Sequence, residues 1–559
     1  MPIYVKENIS YEDVYDDYQS VNPVDLIQEI PTKMALVLVC HYTAQSHSLQ
    51  EDHNKQIQFM REWYKRFPVN VKQKIDALIY SYNSPKESTF HFINNISSAY
   101  LIELILSNHN DLPIADNLTP AQEENLFKAY LFYSSKWIKE QRSFFELSKG
   151  KPVREWTLPI LLPISELSEF KDFRLQFIKA VYFFKFCETS ALFSEYLKTF
   201  LAARNVSNWH EYLKILVSVY TNCLQNDGVK TVIDFTNETS VFNSLLTFCV
   251  DIQSFQPSLD FLTLRETPLY KYSETDLLFL NLNFFIDKIY QSILFDFADA
   301  LIASGATYKG KLIRSKPDFI GIYSNEFVES GLFYKLMNYI FRQKDYIHFT
   351  GDALTSAVGD GTPDYLILDN KKIYVFELKN ALFSGIVKYA YDNEQVQNEL
   401  IKKLVKNEQG KPKGVTQLVN FISDVQAGRY NQACAKDFRG CIIYPIIVTT
   451  DVTFNLPLIN TFINGEYRKQ ILDRGIDTKD YQIKDITIID IDSIIKFQDF
   501  FIEKKITLNH VLADYPKYLQ RGKNEIDKSL SFNKYIHDKT HMKKYDTPKM
   551  FFDEIKPLL

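Results

Sequence analysis

Residues 361–379, GTPDYLILDNKKIYVFELK, hold two short apolar runs joined by Asn370-Lys371 and edged by charge. Side chains along a strand alternate between faces, so Glu377 and Lys379 share a face with Ile373 and Val375. Tyr374, Phe376 and Leu378 point the other way, into a buried layer. A carboxylate and an ammonium shown together on an otherwise apolar strand are costly unless other charges compensate them. A Pro-Asp pair (Pro363-Asp364), a short spacer and then Glu-Leu-Lys is a composition suited to holding a divalent metal.

Outward from this pair, the pattern predicts an amphipathic helix over 325–342, a short strand over 346–350 and a Gly- and Ser-containing turn over 351–361. Strands follow over 364–369 and 373–379, then a long helix over 386–406. A Lys/Gly/Pro loop (407–414) leads into a second helix over 415–426. Two late apolar strands, 441–449 and 486–491, are separated from the first three by helices, and the last runs into a helix ending near Lys505. This order implies a mixed α/β sheet covered on both faces. Pro317-Asp318-Phe319 is a second Pro-Asp pair with no Glu-x-Lys strand at a comparable spacing, and reads as a loop before the 325–342 helix.

The rest of the 559 residues is of a different kind. A chain of this length needs more than one core. Only 17 glycines and long Leu/Ile/Phe-periodic stretches favour helices over a turn-rich all-β fold. Residues 1–33 form an acidic arm that docks through its tyrosines. Residues 34–310 read as a succession of helices, with 277–303 apolar enough for a buried helix broken by Asn281, Asn283 and Asp287. Residues 311–505 form the α/β domain, and 506–559 a Lys-rich, solvated helical tail. The fold class is therefore multidomain, a mostly α-helical N-terminal region followed by the α/β domain. No nucleotide-motor loop is present, and the helical region carries no catalytic constellation. It is expected to bind a regulatory protein partner or to mediate homo-oligomers.

A net charge of −5 gives no global field for nucleic acid, so any such binding needs a local patch of Lys and Arg. Six scattered cysteines without a CxxC pair suit reduced thiols rather than a disulfide framework or a zinc site. The acidic N-terminus has no signal-peptide core, and no apolar run is long enough to span a bilayer. A cytoplasmic protein without a membrane partner is expected.

Pro363-Asp364 with Glu377-Leu378-Lys379, in this element order, resembles the PD-(D/E)xK nuclease superfamily over about residues 320–500. The resemblance implies a restriction-endonuclease-like fold and Mg²⁺- or Mn²⁺-dependent hydrolysis of phosphodiesters, DNA ahead of RNA. Asp364 and Glu377 are then the metal-binding carboxylates, the Leu378 carbonyl a third ligand, and Lys379 the catalytic lysine. Hard Mg²⁺ prefers oxygen ligands and keeps several waters, so this donor set suffices. Nuclease modules joined to large helical regions resemble bacterial restriction or phage-defence effectors. The competing expectations are a strand-end salt bridge and, for the whole chain, a non-catalytic nucleic-acid-binding or protein-scaffolding module on the same fold.

Three accessory features surround the motif. At 100° per residue, Val328, Leu332, Phe333, Leu336, Met337 and Ile340 make one apolar face, with Glu329 near its centre and Glu326 toward its edge. An unpaired acid facing a core is expensive, so Glu329 is the candidate upstream acid, a further catalytic or metal-binding residue. Gln417, with Phe421 four positions on, is similar to a Gln–aromatic pair of the superfamily, with Phe where Tyr is usual; Gln417 would position substrate or water. Lys402, Lys403, Lys406, Lys411 and Lys413 flank the loop between the two helices and are the candidate phosphate contacts.

Overall fold

The computed structural model describes residues 7–48, 53–82, 90–91, 93–165, 167, 171–225, 228–342, 345–476, 481–540 and 547–558. Residues 1–6 of the arm and Lys543 and Lys544 of the tail lie outside them. Helices α1 (Thr32–Ser48), α2 (Asn95–Ser107) and α3 (Pro120–Leu147) build one core, into which the arm inserts Tyr11 and Tyr15. Short polar side chains set the helix starts: Asn94 accepts the Ser97 N–H at 2.7 Å at the head of α2. A second and larger core gathers α4 (Phe173–Thr189), α5 (Ala191–Ala203) and α6 (Ile293–Ser304). All six cysteines are free, and no helix among the described residues is long and apolar enough to cross a membrane.

The expected buried helix over 277–303 is corrected. Asp276–Phe279 is a strand paired with Val232–Asp234 and Leu269–Lys271, followed by helix Leu282–Asp287 and then α6. Asn281 makes the break, its side chain accepting the Phe284 N–H at 3.2 Å as an N-cap.

The α/β part begins with α7, a continuous helical run over 316–340 in three segments: Lys316–Tyr323, a π-helical Ser324–Tyr334, and Lys335–Ile340. Six strands form one mixed sheet: β1 (Ile347–Thr350), β2 (Tyr365–Asp369), β3 (Lys372–Lys379), β4 (Ile442–Thr449), β5 (Gln482–Ile483) and β6 (Thr487–Asp490). β1, β2 and β3 are antiparallel neighbours; β3 and β4 are parallel, and β5 and β6 both pair along the far edge of β4. Helices α8 (Gly351–Val358), α9 (Asn393–Leu404), α10 (Gly414–Gln426) and α11 (Ile459–Asp473) lie between strands in the chain. Both faces of the sheet are covered. Ile373 and Val375 join a core with Val396, Leu400, Leu418 and Ile422 of α9 and α10. Tyr374 and Phe376 belong to the large core with Phe333, Leu336 and Met337 of α7, and the Phe333 and Phe376 rings meet at 6.2 Å.

Several local expectations change. Pro317 and Asp318 are not in a loop but in the first turn of α7, where Ser315 and Asp318 form a capping box. The expected turn over 351–361 contains α8, capped by Thr350 and ended by Gly359 at φ 84°. The expected helix over 386–406 is two, Gly385–Lys388 and α9, separated at Tyr391, which has φ 50°. α11 was not anticipated from the sequence pattern. Residues 506–540 and 547–558 are not a solvated tail: Leu508, Val511 and Leu512 of α12 (Leu508–Gln520), with Phe532, Tyr535 and Phe551, are buried in the large core.

Candidate active site

The β2–β3 hairpin assembles the motif. Asn370, in the left-handed region at φ 52°, turns the chain between the strands. The resulting register pairs Tyr365 with Phe376, and so sets Asp364, one residue before β2, opposite Glu377. Asp364 Oδ2 accepts the Leu378 N–H at 2.6 Å, which ties the Pro-Asp turn to the Glu-Leu-Lys strand. The Lys379 ammonium donates to Glu377 Oε2 at 2.7 Å and to the Leu378 carbonyl at 3.0 Å, and stands 3.7 Å from Asp364 Oδ2. The strand-end ion pair is thus present, with a second carboxylate beside it. Asn380, next in the chain, bridges α7 and the end of β4: it donates to Ser324 Oγ at 2.5 Å and accepts from Thr450 Oγ1 at 2.6 Å.

Glu377 is 1% exposed at its side chain, Lys379 11% and Asp364 20%, so the cluster opens to solvent on the Asp364 side. Burial, reinforced by Asp364, pushes the Glu377 carboxyl above the usual carboxylate range against the opposing pull of Lys379. Burial would lower the Lys379 ammonium, but Glu377 and Asp364 outweigh it and the net shift is upward. Glu329 lies on α7. Its carboxyl is raised by burial and next by Asp364, and it accepts a hydrogen bond from the Tyr334 hydroxyl. Glu326, the other candidate acid, lies away from the cluster, taking a hydrogen bond from Tyr308 and standing 3.8 Å from Lys309.

The start of α10 approaches the same place. Gly414 lets the helix begin against β4, since a Cβ there would lie 3.0 Å from Ile447 Cδ1, and Ile447 is the register partner of Glu377. Lys413, at the head of α10, has its ammonium lowered first by burial and then by Lys379. Gln417 lies one turn farther on the same face, its N–H bonded to the Lys413 carbonyl at 2.9 Å. Phe421 is in the core, packed on Tyr430 with ring centroids 4.8 Å apart. The five lysines differ in their pairing. Lys402 is paired with Glu408 at 2.7 Å and Lys403 stands 3.5 Å from Glu399, whereas Lys406, Lys411 and Lys413 have no ion-pair partner among the described residues.

Tyr334, Asn380 and Gly351 are site residues that sequence reasoning missed; only Asn380, adjacent to Lys379, carried a positional signal. Among the described residues no group of three or more His, Cys, Asp and Glu side chains is gathered tightly enough to hold a metal ion. The donors available are the Asp364 and Glu377 carboxylates and the Leu378 carbonyl, with Glu329 standing off behind Tyr334. These are hard oxygens of the kind Mg²⁺ and Mn²⁺ take, and two of the carboxylates stand 2.7 and 3.7 Å from one ammonium. Compared with family models, with curated protein sequences and with solved structures, the chain has no significant match.

Proposed function

We propose that the chain is a metal-dependent nuclease of the PD-(D/E)xK type, with its chemistry at Asp364, Glu377 and Lys379. The observation that carries this reading is the register that sets Asp364 opposite Glu377, with the Lys379 ammonium 2.7 Å from Glu377 and 3.7 Å from Asp364 at the edge of an apolar sheet. A purely structural pair has no need of Asp364 beside it, an acid that raises the cost of burying Glu377. Asp364, Glu377 and the Leu378 carbonyl would hold Mg²⁺ or Mn²⁺. When bound, such a cation polarises a phosphoryl oxygen and lowers the pKa of a water. Lys379, fixed by Glu377 and the Leu378 carbonyl, stabilises negative charge developing on the phosphoryl group. Lys413 and Gln417, on one face of α10, orient the substrate phosphate. DNA is the proposed substrate, on the motif's resemblance. The helical region serves regulation or partner binding, as in a bacterial restriction or phage-defence effector, and the protein works in the cytoplasm.

Incubation of purified protein and supercoiled plasmid with Mg²⁺ or Mn²⁺, beside the near-isosteric Asp364→Asn, tests this. The wild type is expected to nick or linearise the plasmid, and the variant to lose about 100-fold or more of that activity. Equal cleavage by both would overturn the assignment. A non-catalytic binding platform is the second reading, favoured by the closed Glu377–Lys379 pair; it requires that the wild type bind neither ion in calorimetry.

A further inference from the structure

Ser324–Tyr334, in the middle of α7, runs as a π-helix over 11 residues. Such turns are rare and recur at functional sites. In an α-helix, residue 329 would stack over residue 333. The longer repeat of the π segment instead brings Glu329 to Tyr334, five positions on, and the Tyr334 hydroxyl donates to Glu329 Oε1. The same hydroxyl accepts the Gly351 N–H at 3.2 Å, and that N–H also reaches the Asp364 carbonyl at 2.8 Å. One phenol thus links the upstream acid to the backbone that carries the Pro-Asp pair. The approach is close: a Cβ at Gly351 would lie 2.9 Å from the Tyr334 hydroxyl and 3.2 Å from the carbonyls of Pro363 and Asp364. Tyr334 is 6% exposed, and its ring packs on Tyr365 at 5.7 Å. The Tyr365 hydroxyl is anchored in turn, donating to Asn338 at 2.6 Å and lying 3.0 Å from His348 Nδ1. The phenol is therefore held on both sides before it meets the acid.

We infer that Tyr334 is a positioning residue that ties the Glu329 carboxylate to the Gly351–Asp364 backbone junction, so that the Pro-Asp turn holds Asp364 in place for cation binding; this rests on the nuclease reading. Without the phenol, Glu329 loses its tie to the backbone that carries the Pro-Asp pair. The π-helix is what makes the contact, because regular α geometry would place Phe333, a core residue, over Glu329.

The test uses the full chain as wild type, Tyr334→Phe, Glu329→Gln and the double variant. Mn²⁺ affinity is measured by calorimetry without DNA, kcat and KM on plasmid, and Tm for each protein. Tyr334→Phe is expected to weaken Mn²⁺ binding about tenfold and to lower kcat by a similar factor, with KM for DNA unchanged. Glu329→Gln should match it, and the double variant should be no worse than either single, because both remove one contact. Glu329→Asp, too short to reach the phenol, breaks the same bond without altering a buried residue and should give the same loss even if Tyr334→Phe folds poorly. Wild-type Mn²⁺ affinity and kcat in Tyr334→Phe or Glu329→Asp would overturn the inference alone, as would losses that multiply in the double variant. A wild type that neither binds Mn²⁺ nor cuts plasmid would overturn the nuclease reading and this inference with it.

Discussion

Glu103 in the helical region and Glu377 in the sheet are both buried glutamates, 4% and 1% exposed, yet they are held in opposite ways. Glu103 is solitary: it accepts the Ser258 N–H at 3.2 Å, has no ion-pair partner among the described residues, and is pushed up to about 7 by burial. Glu377 has Lys379 at 2.7 Å and is still raised, because Asp364 and Glu329 add to its burial. The helical region also buries full ion pairs, but there the acid is amply covered. Asp296 meets Lys288 at 3.2 Å and Arg204 at 2.9 Å, and Asp287 meets Lys171 at 2.6 Å. Burial of a charge is therefore not what distinguishes the sheet site. Its distinction is the composition of the cluster: in the sheet two acids share one lysine, whereas Asp296 is one acid shared by Lys288 and Arg204.

The largest effects should come from removing one acid in each place. Asp296→Asn leaves Lys288 and Arg204 without their shared carboxylate and should destabilise the protein by about 3–5 kcal/mol in denaturant unfolding. Glu377→Gln removes one of the two acids that share Lys379 and should instead be neutral or stabilising by about 1 kcal/mol without metal, while abolishing cleavage. If both variants lost stability equally, the sheet cluster would be an ordinary structural network.

Glu103→Gln comes next. A carboxyl raised from its usual range to about 7 favours folding fully below about pH 4.5, and that contribution is lost as pH rises through 7. At about 1.4 kcal/mol per pKa unit the loss approaches about 3 kcal/mol at pH 8. The glutamine keeps the acceptor for Ser258, so the variant should be more stable than wild type at pH 8 and near equal to it at pH 4.5. A pH-independent difference in Tm would show that burial does not raise the Glu103 carboxyl above its unfolded value.

The hairpin that pairs Asp364 with Glu377 was legible because it is local: a turn residue, Asn370, and period-two alternation set its register within a few positions. The relation of Glu329 to the site was only half legible. Its burial followed from a 100° repeat, but its partner did not, since the π segment re-phases the helix and moves the contact from residue 333 to Tyr334. Leu277 and Leu278 were misjudged because a short apolar run fits a strand or a buried helix equally, and tertiary pairing with Ile233 and Val232 decides. The pairing of Lys402 with Glu408 depends on how the loop after α9 folds back, which charge spacing alone does not reveal. The burial of α12 depends on a core assembled largely from residues far upstream in the chain.

Gly351→Ala probes the join between α7 and the Pro-Asp turn. The new Cβ would sit 2.9 Å from the Tyr334 hydroxyl, with the Pro363 and Asp364 carbonyls at 3.2 Å, so something must move. Overpacking of this kind costs about 1–3 kcal/mol, and the lower half of that range is expected at the start of a helix. Plasmid cleavage should fall further than this stability loss accounts for, because the displaced atoms include the Asp364 backbone. Activity that survives in proportion to the folded fraction would detach Tyr334 from the site.

The smallest effect separates lysines of similar appearance. Lys413 lies beside Lys379 with burial and neighbouring cations lowering its ammonium, a position that a phosphate would relieve. Lys402 is already paired with Glu408. In DNA-binding titrations at several salt concentrations, Lys413→Ala should reduce the slope of log affinity against log salt by about 1, and Lys402→Ala should leave it unchanged. Affinity at low salt will fall modestly for Lys413→Ala, since one contact among several is lost. Equal slopes for the two variants would mean that the strand is gripped by diffuse surface charge rather than by Lys413.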